Sequence, residues 1–197
     1  MSTKLKYKSI VGILHDKGIN INFKKYDART FGQVELDSDG SFDCTTRAMC
    51  TVFNIPYDKI FEKQLVLSKA THYMPTSNYI TIEIAREYGY HYYEFKIPMN
   101  LIKFYLMKPT GRYILNMQDH LFAYIDGIVY DRDVEEYDEL IKKLNEKDFN
   151  NSENYNDNIK LIKSIEGTWF GYLFEPIYGV YHSKSEDEYW DTLVGNC

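Results

Sequence analysis

Apolar and polar positions along this chain alternate between helical and extended spacing. Residues 7–16 carry Ile10, Ile13 and Leu14 on one face, and Gly18 ends the run, which predicts a short amphipathic helix. Residues 19–36 alternate loosely through Ile19, Ile21 and Phe23 and read as extended; LDSDGSFD, 36–43, reads as a polar turn cluster. A helix is predicted from about 44 to 54, stopping before Pro56, because the residue before a proline avoids helical backbone. PYDKIFEKQLVLSKA opens on a helix-starting proline and repeats apolar residues at Ile60, Phe61, Leu65 and Val66, predicting a second helix. A third spans 78–89, with Ile80, Ile84 and Tyr88 in register and Gly89 as its cap.

Extended stretches dominate further on. Residues 90–96 read as a strand and 99–107 as a short helix, followed by strands RYILNM and HLFAYI. Asp126-Gly127 between HLFAYI and IVYD is a strong signal for a two-residue hairpin. EEYDELIKKLNEK is a further amphipathic helix, DFNNSENYNDN an Asn-rich link, and the last stretch, holding both tryptophans, an added strand pair with an acidic tail. The fold expected is α+β, with N-terminal helices packed on a small antiparallel sheet. Its main domain covers 1–145 (core about 36–135), then an Asn-rich loop at 146–158 and a C-terminal extension at 159–197 packing on the same domain.

Composition narrows the classes. The 197 residues are 44% hydrophobic, enough for a sizeable core, and the net charge of −6 lacks the basic footprint of a nucleic-acid binder. No apolar run is long enough to cross a bilayer, and the N-terminal apolar patch is too short for a signal peptide, so a soluble, cytoplasmic protein is expected. Cys44, Cys50 and Cys197 make neither a disulfide framework nor a zinc spacing, which suits a reducing, intracellular setting. The acidic segments VEEYDEL and SEDEYWD lack the alternating ligands and central glycine of a calcium loop. No metal or cofactor is expected.

Two positions carry candidate chemistry. Cys44 opens a predicted helix, where unpaired N–H groups and the helix dipole favour a thiolate. Asp43 beside it opposes ionisation unless its side chain turns away to cap the helix. The alternative for Cys44 is a small buried hydrophobe, the role read for Cys50 among Ala48, Val52 and Phe53. The second position is His120. A turn at Asp126-Gly127 pairs Ile125 with Ile128, Phe122 with Asp131 and His120 with Asp133. His120, Asp131 and Asp133 then share a mixed face, opposite a core face of Leu121, Ala123, Ile125, Ile128 and Tyr130. A carboxylate there would fix the imidazole tautomer and stabilise its charged form. His15, His72, His91 and His182 read as structural or solvated.

The run D-C-x-x-R-A, then G-R-Y-I, then H-L-F-A-Y-I-D-G-I-V-Y-D, over about residues 36–135, resembles small papain-like cysteine peptidase domains of bacteriophages and bacteria. That superfamily also includes bacteriocin-processing peptidases, transglutaminases and arylamine N-acetyltransferases. The resemblance implies Cys44 as nucleophile, His120 as general base and acid, and Asp131 as orienting group, with Asp133 its competitor. It implies one oxyanion donor at the Cys44 backbone N–H. The family's upstream glutamine has no counterpart at the usual spacing, so the second donor is sought among Gln118, Gln33 and Ser38. Arg47 is read as a helix anchor. The function implied is hydrolysis of a peptide or isopeptide bond in a protein or peptide substrate. Two alternatives stand beside it: acyl transfer or deamidation by the same triad, and a non-catalytic binding protein such as an inhibitor of a host factor. Specificity would lie in loops flanking the cleft, at 68–78 and 145–158.

Overall fold

A computed structural model describes residues 9–30, 43–134, 136 and 155–195 of the chain. The polar cluster before Asp43, the helix predicted from 135 and the first part of the Asn-rich link lie outside the described residues. So do Gln33 and Ser38.

The described chain is mixed α and β. Its elements run α1 (Ile10–Asp16), β1 (Asn22–Lys25), a 3-10 turn (Ala28–Thr30), α2 (Cys44–Phe53), α3 (Tyr57–Thr71), α4 (Asn78–Glu87), β2 (Tyr90–Met99), α5 (Leu101–Met107), β3 (Arg112–Met117), β4 (His120–Ile125), β5 (Ile128–Asp131), α6 (Tyr155–Phe174), β6 (Ile177–Ser183), a second 3-10 turn (Lys184–Glu186) and α7 (Asp187–Gly195). The strands form one six-stranded sheet in the order β1-β5-β4-β3-β6-β2. The sheet is mixed rather than antiparallel, because β1 pairs parallel to β5 while the other pairings are antiparallel.

Local signals explain most boundaries. The Ser9 hydroxyl accepts from Gly12 N–H and caps α1. Helix α2 ends on Asn54 in the left-handed region, whose N–H returns to the Cys50 carbonyl, just before Pro56. Ser77 caps α4. Asp126 and Gly127 both have positive φ, 50° and 83°, as a two-residue hairpin turn of the primed type requires. The β4–β5 register is the one the turn predicts, with Ile125 opposite Ile128.

Strand alternation sends side chains into two cores. Ile114, Leu121, Ala123 and Tyr181 meet α2, α3 and α4 on one face; Leu115, Phe122, Tyr124 and Val180 meet α1, α5, α6 and α7 on the other. The face expected to be mixed is therefore also covered, chiefly by α6. The C-terminal stretch differs from the added strand pair predicted for it. It supplies two helices and the strand β6, which lies between β3 and β2 inside the sheet. Residues 155–158, assigned to a loop for their asparagines, open α6. The regular spacing of Ile162, Ile165, Trp169, Tyr172 and Leu173, all buried, outweighs the polar start of that helix. Helix α3 also departs from its expected face: Tyr57, Ile60 and Gln64 are buried while Val66 stands exposed.

Candidate active site

Cys44 is the first residue of α2, so its N–H lies in the first turn, where intrahelical acceptors are lacking. The helix is fixed at both ends. At its C-terminus, the Arg112 guanidinium donates to the carbonyls of Val52 (2.8 Å) and Thr51 (2.7 Å), which ties α2 to β3. Near its N-terminus, Asp43 turns away from the thiol but does not cap the helix. Its buried carboxylate pairs with Arg47 one turn on and accepts from the Tyr57 hydroxyl at 2.9 Å. Arg47 is thus an anchor, buried and ion-paired. Thr46 donates to Gln64 at 2.7 Å and locks α2 to α3.

His120 starts β4, after a two-residue turn in which Asp119 adopts φ 60°. Its Nε2 donates to Asp131 Oδ2 at 2.7 Å. Asp131, not Asp133, is the contacting acid. The β4–β5 ladder runs from Ile125↔Ile128 to Ala123↔Tyr130, and β5 stops at Asp131, so the direct pairing of His120 with Asp133 is not made. Asp133 instead pairs with Arg132, and its backbone N–H donates to Asp131 Oδ1 at 3.2 Å. With Nε2 committed to Asp131, Nδ1 is the ring nitrogen left for the thiol.

The thiol and ring are neighbours on one cavity wall, where the His120 side chain, the Leu121 N–H and the Thr45 hydroxyl act on the Cys44 sulfur. Burial pushes the Cys44 thiol up, but these groups and the imidazolium charge outweigh it and hold the thiol below its ordinary value. Burial works against a charged His120 as well. The hydrogen bond to Asp131, the nearby Cys44 sulfur and their negative charges together raise it to about 10. Asp131 is almost sealed from solvent, which alone raises its carboxyl; bonds from His120 and Asp133 N–H, with Arg47 nearby, bring it below the usual carboxylate range. These directions favour a thiolate–imidazolium pair backed by a carboxylate.

This pair opens onto a polar cavity of about 230 Å³, lined by Cys44, Thr45, Thr76, Asn78, Asn116, Asp119, His120 and Leu121. The thiol is partly exposed and the His120 side chain 27% exposed, so both are reachable. Gln118 is exposed in the β3–β4 turn and does not line the cavity. Two lining residues that sequence reasoning passed over carry amide groups, Asn116 and Asn78. Asn116 lies opposite Leu121 on β3 and donates one amide hydrogen to the Tyr92 hydroxyl at 3.1 Å. Its signal in the sequence was a polar residue interrupting the otherwise apolar RYILNM. Thr76 and Asn78 bring the end of the 68–78 segment to the cavity, where a flanking loop was expected.

The other described thiol, Cys50, and three further imidazoles differ. Cys50 is 1% exposed and burial, with nearby carboxylates, pushes its thiol up to about 12. His15 Nε2 bonds the Ile21 carbonyl and His91 Nδ1 bonds Asp187. His182 is buried with Nδ1 on the Ser183 carbonyl, and burial lowers its pKa. Among the described residues, no cluster of His, Cys, Asp and Glu is arranged to hold a metal, and no helix is long and apolar enough to cross a membrane. No family model, curated protein or solved structure matches this chain.

Proposed function

We propose that this protein is a papain-like thiol hydrolase that cleaves a peptide or isopeptide bond through Cys44, His120 and Asp131. The observation that carries this reading is Asp131 Oδ2 held 2.7 Å from His120 Nε2, with that ring and the Cys44 thiol side by side on the wall of a polar cavity. Three groups from three elements, α2, β4 and β5, supply nucleophile, base and orienting acid in the order a cysteine hydrolase needs.

In the reaction, the thiol proton already rests on His120 Nδ1 and the Cys44 thiolate attacks the substrate carbonyl carbon. The tetrahedral oxyanion accepts from the Cys44 backbone N–H and from a second donor among the cavity amides, Asn116 being the one on a rigid strand. The imidazolium then gives its proton to the leaving amine as the C–N bond breaks, leaving a thioester on Cys44. Neutral His120 next deprotonates a water that attacks the thioester, releasing the acid and restoring the thiolate–imidazolium pair. Asp131 keeps the proton on Nε2 throughout and steadies the imidazolium.

The test is a peptide library incubated with the wild-type protein and with Cys44→Ala. New N-termini from the wild type alone, with a peptidyl thioester on Cys44 trapped by acid quench, support hydrolysis. Identical peptide profiles from both proteins overturn it.

A further inference from the structure

The region that resembles cysteine peptidases ends near residue 135, but the candidate triad does not end there. Tyr172, on α6, places its hydroxyl 3.2 Å from His120 Nε2. Its ring stands edge-on to His120, with centroids 6.0 Å apart, and edge-on to Phe122 at 5.1 Å. The residue is 8% exposed.

The direction of the hydroxyl proton follows from valence. Nε2 spends its N–H on Asp131 Oδ2, so it has no lone pair to accept a phenol proton. At 3.2 Å from Nε2, the hydroxyl also lies beside the Asp131 carboxylate, which is an acceptor only and bears on the phenol through its charge. Burial first, then the Asp131 charge, push the Tyr172 phenol upward, so it keeps its proton across the working pH range. Asp131 thus receives two donors, His120 Nε2 and Asp133 N–H, and the Tyr172 hydroxyl is a third donor placed at the edge of the His120–Asp131 bond.

We infer that Tyr172 is a positioning residue for the Cys44–His120–Asp131 site, holding the Asp131 carboxylate in the orientation that keeps its Oδ2 on His120 and covering that hydrogen bond from water. This inference rests on the proposed function and extends it: the C-terminal segment completes the site rather than decorating it. Tyr172 touches no reacting atom. Its effect passes through Asp131, and without it that carboxylate can rotate about its own axis, weakening the bond to Nε2 and so the imidazolium beside the thiol. The charged and titratable groups facing this cluster are Cys44 and Arg47 from α2, Asp119 from the β3–β4 turn, and Asp131 and Asp133 from β5 and its end. Tyr172→Phe changes none of them.

The experiment is the pH dependence of Cys44 alkylation by iodoacetamide in the full chain, comparing wild type, Tyr172→Phe and Asp131→Asn, with thermal melting of each. Phe keeps the ring and its packing. The expected result is a rise of about one pH unit in the apparent Cys44 pKa of Tyr172→Phe, the weight of one hydrogen bond, and a larger rise in Asp131→Asn. A merely structural tyrosine would lower the melting temperature and leave the alkylation profile where it was; that outcome overturns the inference while the proposed function stands. A wild-type thiol that titrates at its ordinary value overturns both. Should Tyr172→Phe not fold, proton NMR of the wild-type protein decides: a cross-peak between the His120 Nε2 proton and the Tyr172 ring supports the placement, and its absence overturns it.

Discussion

Asp131→Asn probes the site with the smallest change in shape. Asp131 offers two acceptor oxygens to opposed donors, Oδ2 to His120 Nε2 at 2.7 Å and Oδ1 to Asp133 N–H at 3.2 Å. An amide has only one acceptor oxygen, so one of these N–H groups must face an NH₂ group. If the NH₂ faces His120, the ring proton moves to Nδ1, the wrong nitrogen for accepting the thiol proton; if it faces Asp133, the segment after β5 loses its tie. The charge is lost either way. His120 rises from 6.5 to about 10 in the folded protein, roughly 3.5 units, or on the order of 5 kcal/mol in favour of the imidazolium at ~1.36 kcal/mol per unit. That gain is net of burial and shared between Asp131 and Cys44, with Asp131 the larger contributor. Removing it should lower the His120 pKa and slow Cys44 alkylation at pH 7 by about 100-fold, in keeping with the cost of losing the orienting acid of a triad. The sign of the stability change follows from linkage. The raised His120 pKa stabilises the fold fully below 6.5 and ceases to do so as pH passes about 10, while the lowered Asp131 pKa stabilises above 3.8 and fails as pH falls. The stability gap between wild type and Asp131→Asn should therefore be widest between pH 4 and 6.5 and shrink on both sides. Coincident alkylation profiles and a pH-independent stability gap would refute the reasoning.

Three further outcomes follow from the packing. Arg47→Leu leaves Asp43 buried with Arg29 3.9 Å away and the Arg132 charge acting on it from further off; urea denaturation should show a loss of about 3 kcal/mol, the low end for a broken buried pair. Gly127→Ala places a methyl group 3.2 Å from the Asn20 carbonyl at φ +83°, and should cost about 1–2 kcal/mol in the same assay without changing Cys44 reactivity. Asp119 is the cavity's acidic lining residue, so a cationic thiosulfonate should label Cys44 faster than an anionic one, and Asp119→Asn should narrow that ratio roughly two- to five-fold, as fits a solvent-exposed charge.

Helices α1 to α5 and the β4–β5 hairpin were legible in the sequence because each is specified locally. Asp126-Gly127 sets its own turn, Ser77 and Asn100 cap their helices, and apolar spacing marks α2, α3 and α4. Cys44 and His120 were legible for the same reason, one at a helix start and the other at a strand start. The choice between Asp131 and Asp133 was not, because it depends on where β5 stops, which pairing rules leave open. The place of β6 was hidden too: a strand inserted between β3 and β2 after a 20-residue helix is set by long-range packing. Tyr172 was invisible for that reason. Nothing near it in sequence bears on the triad, and only α6 lying across the sheet brings its hydroxyl to His120.

The most direct test of the central claim is the ultraviolet absorbance of the thiolate, taken as wild type minus Cys44→Ser across a pH titration. A Cys44–His120 ion pair predicts thiolate absorbance that is already present well below pH 9.0, the ordinary value for the thiol. Absorbance that emerges only at or above that value would mean Cys44 and His120 are neutral partners, and the account of a poised nucleophile would be contradicted.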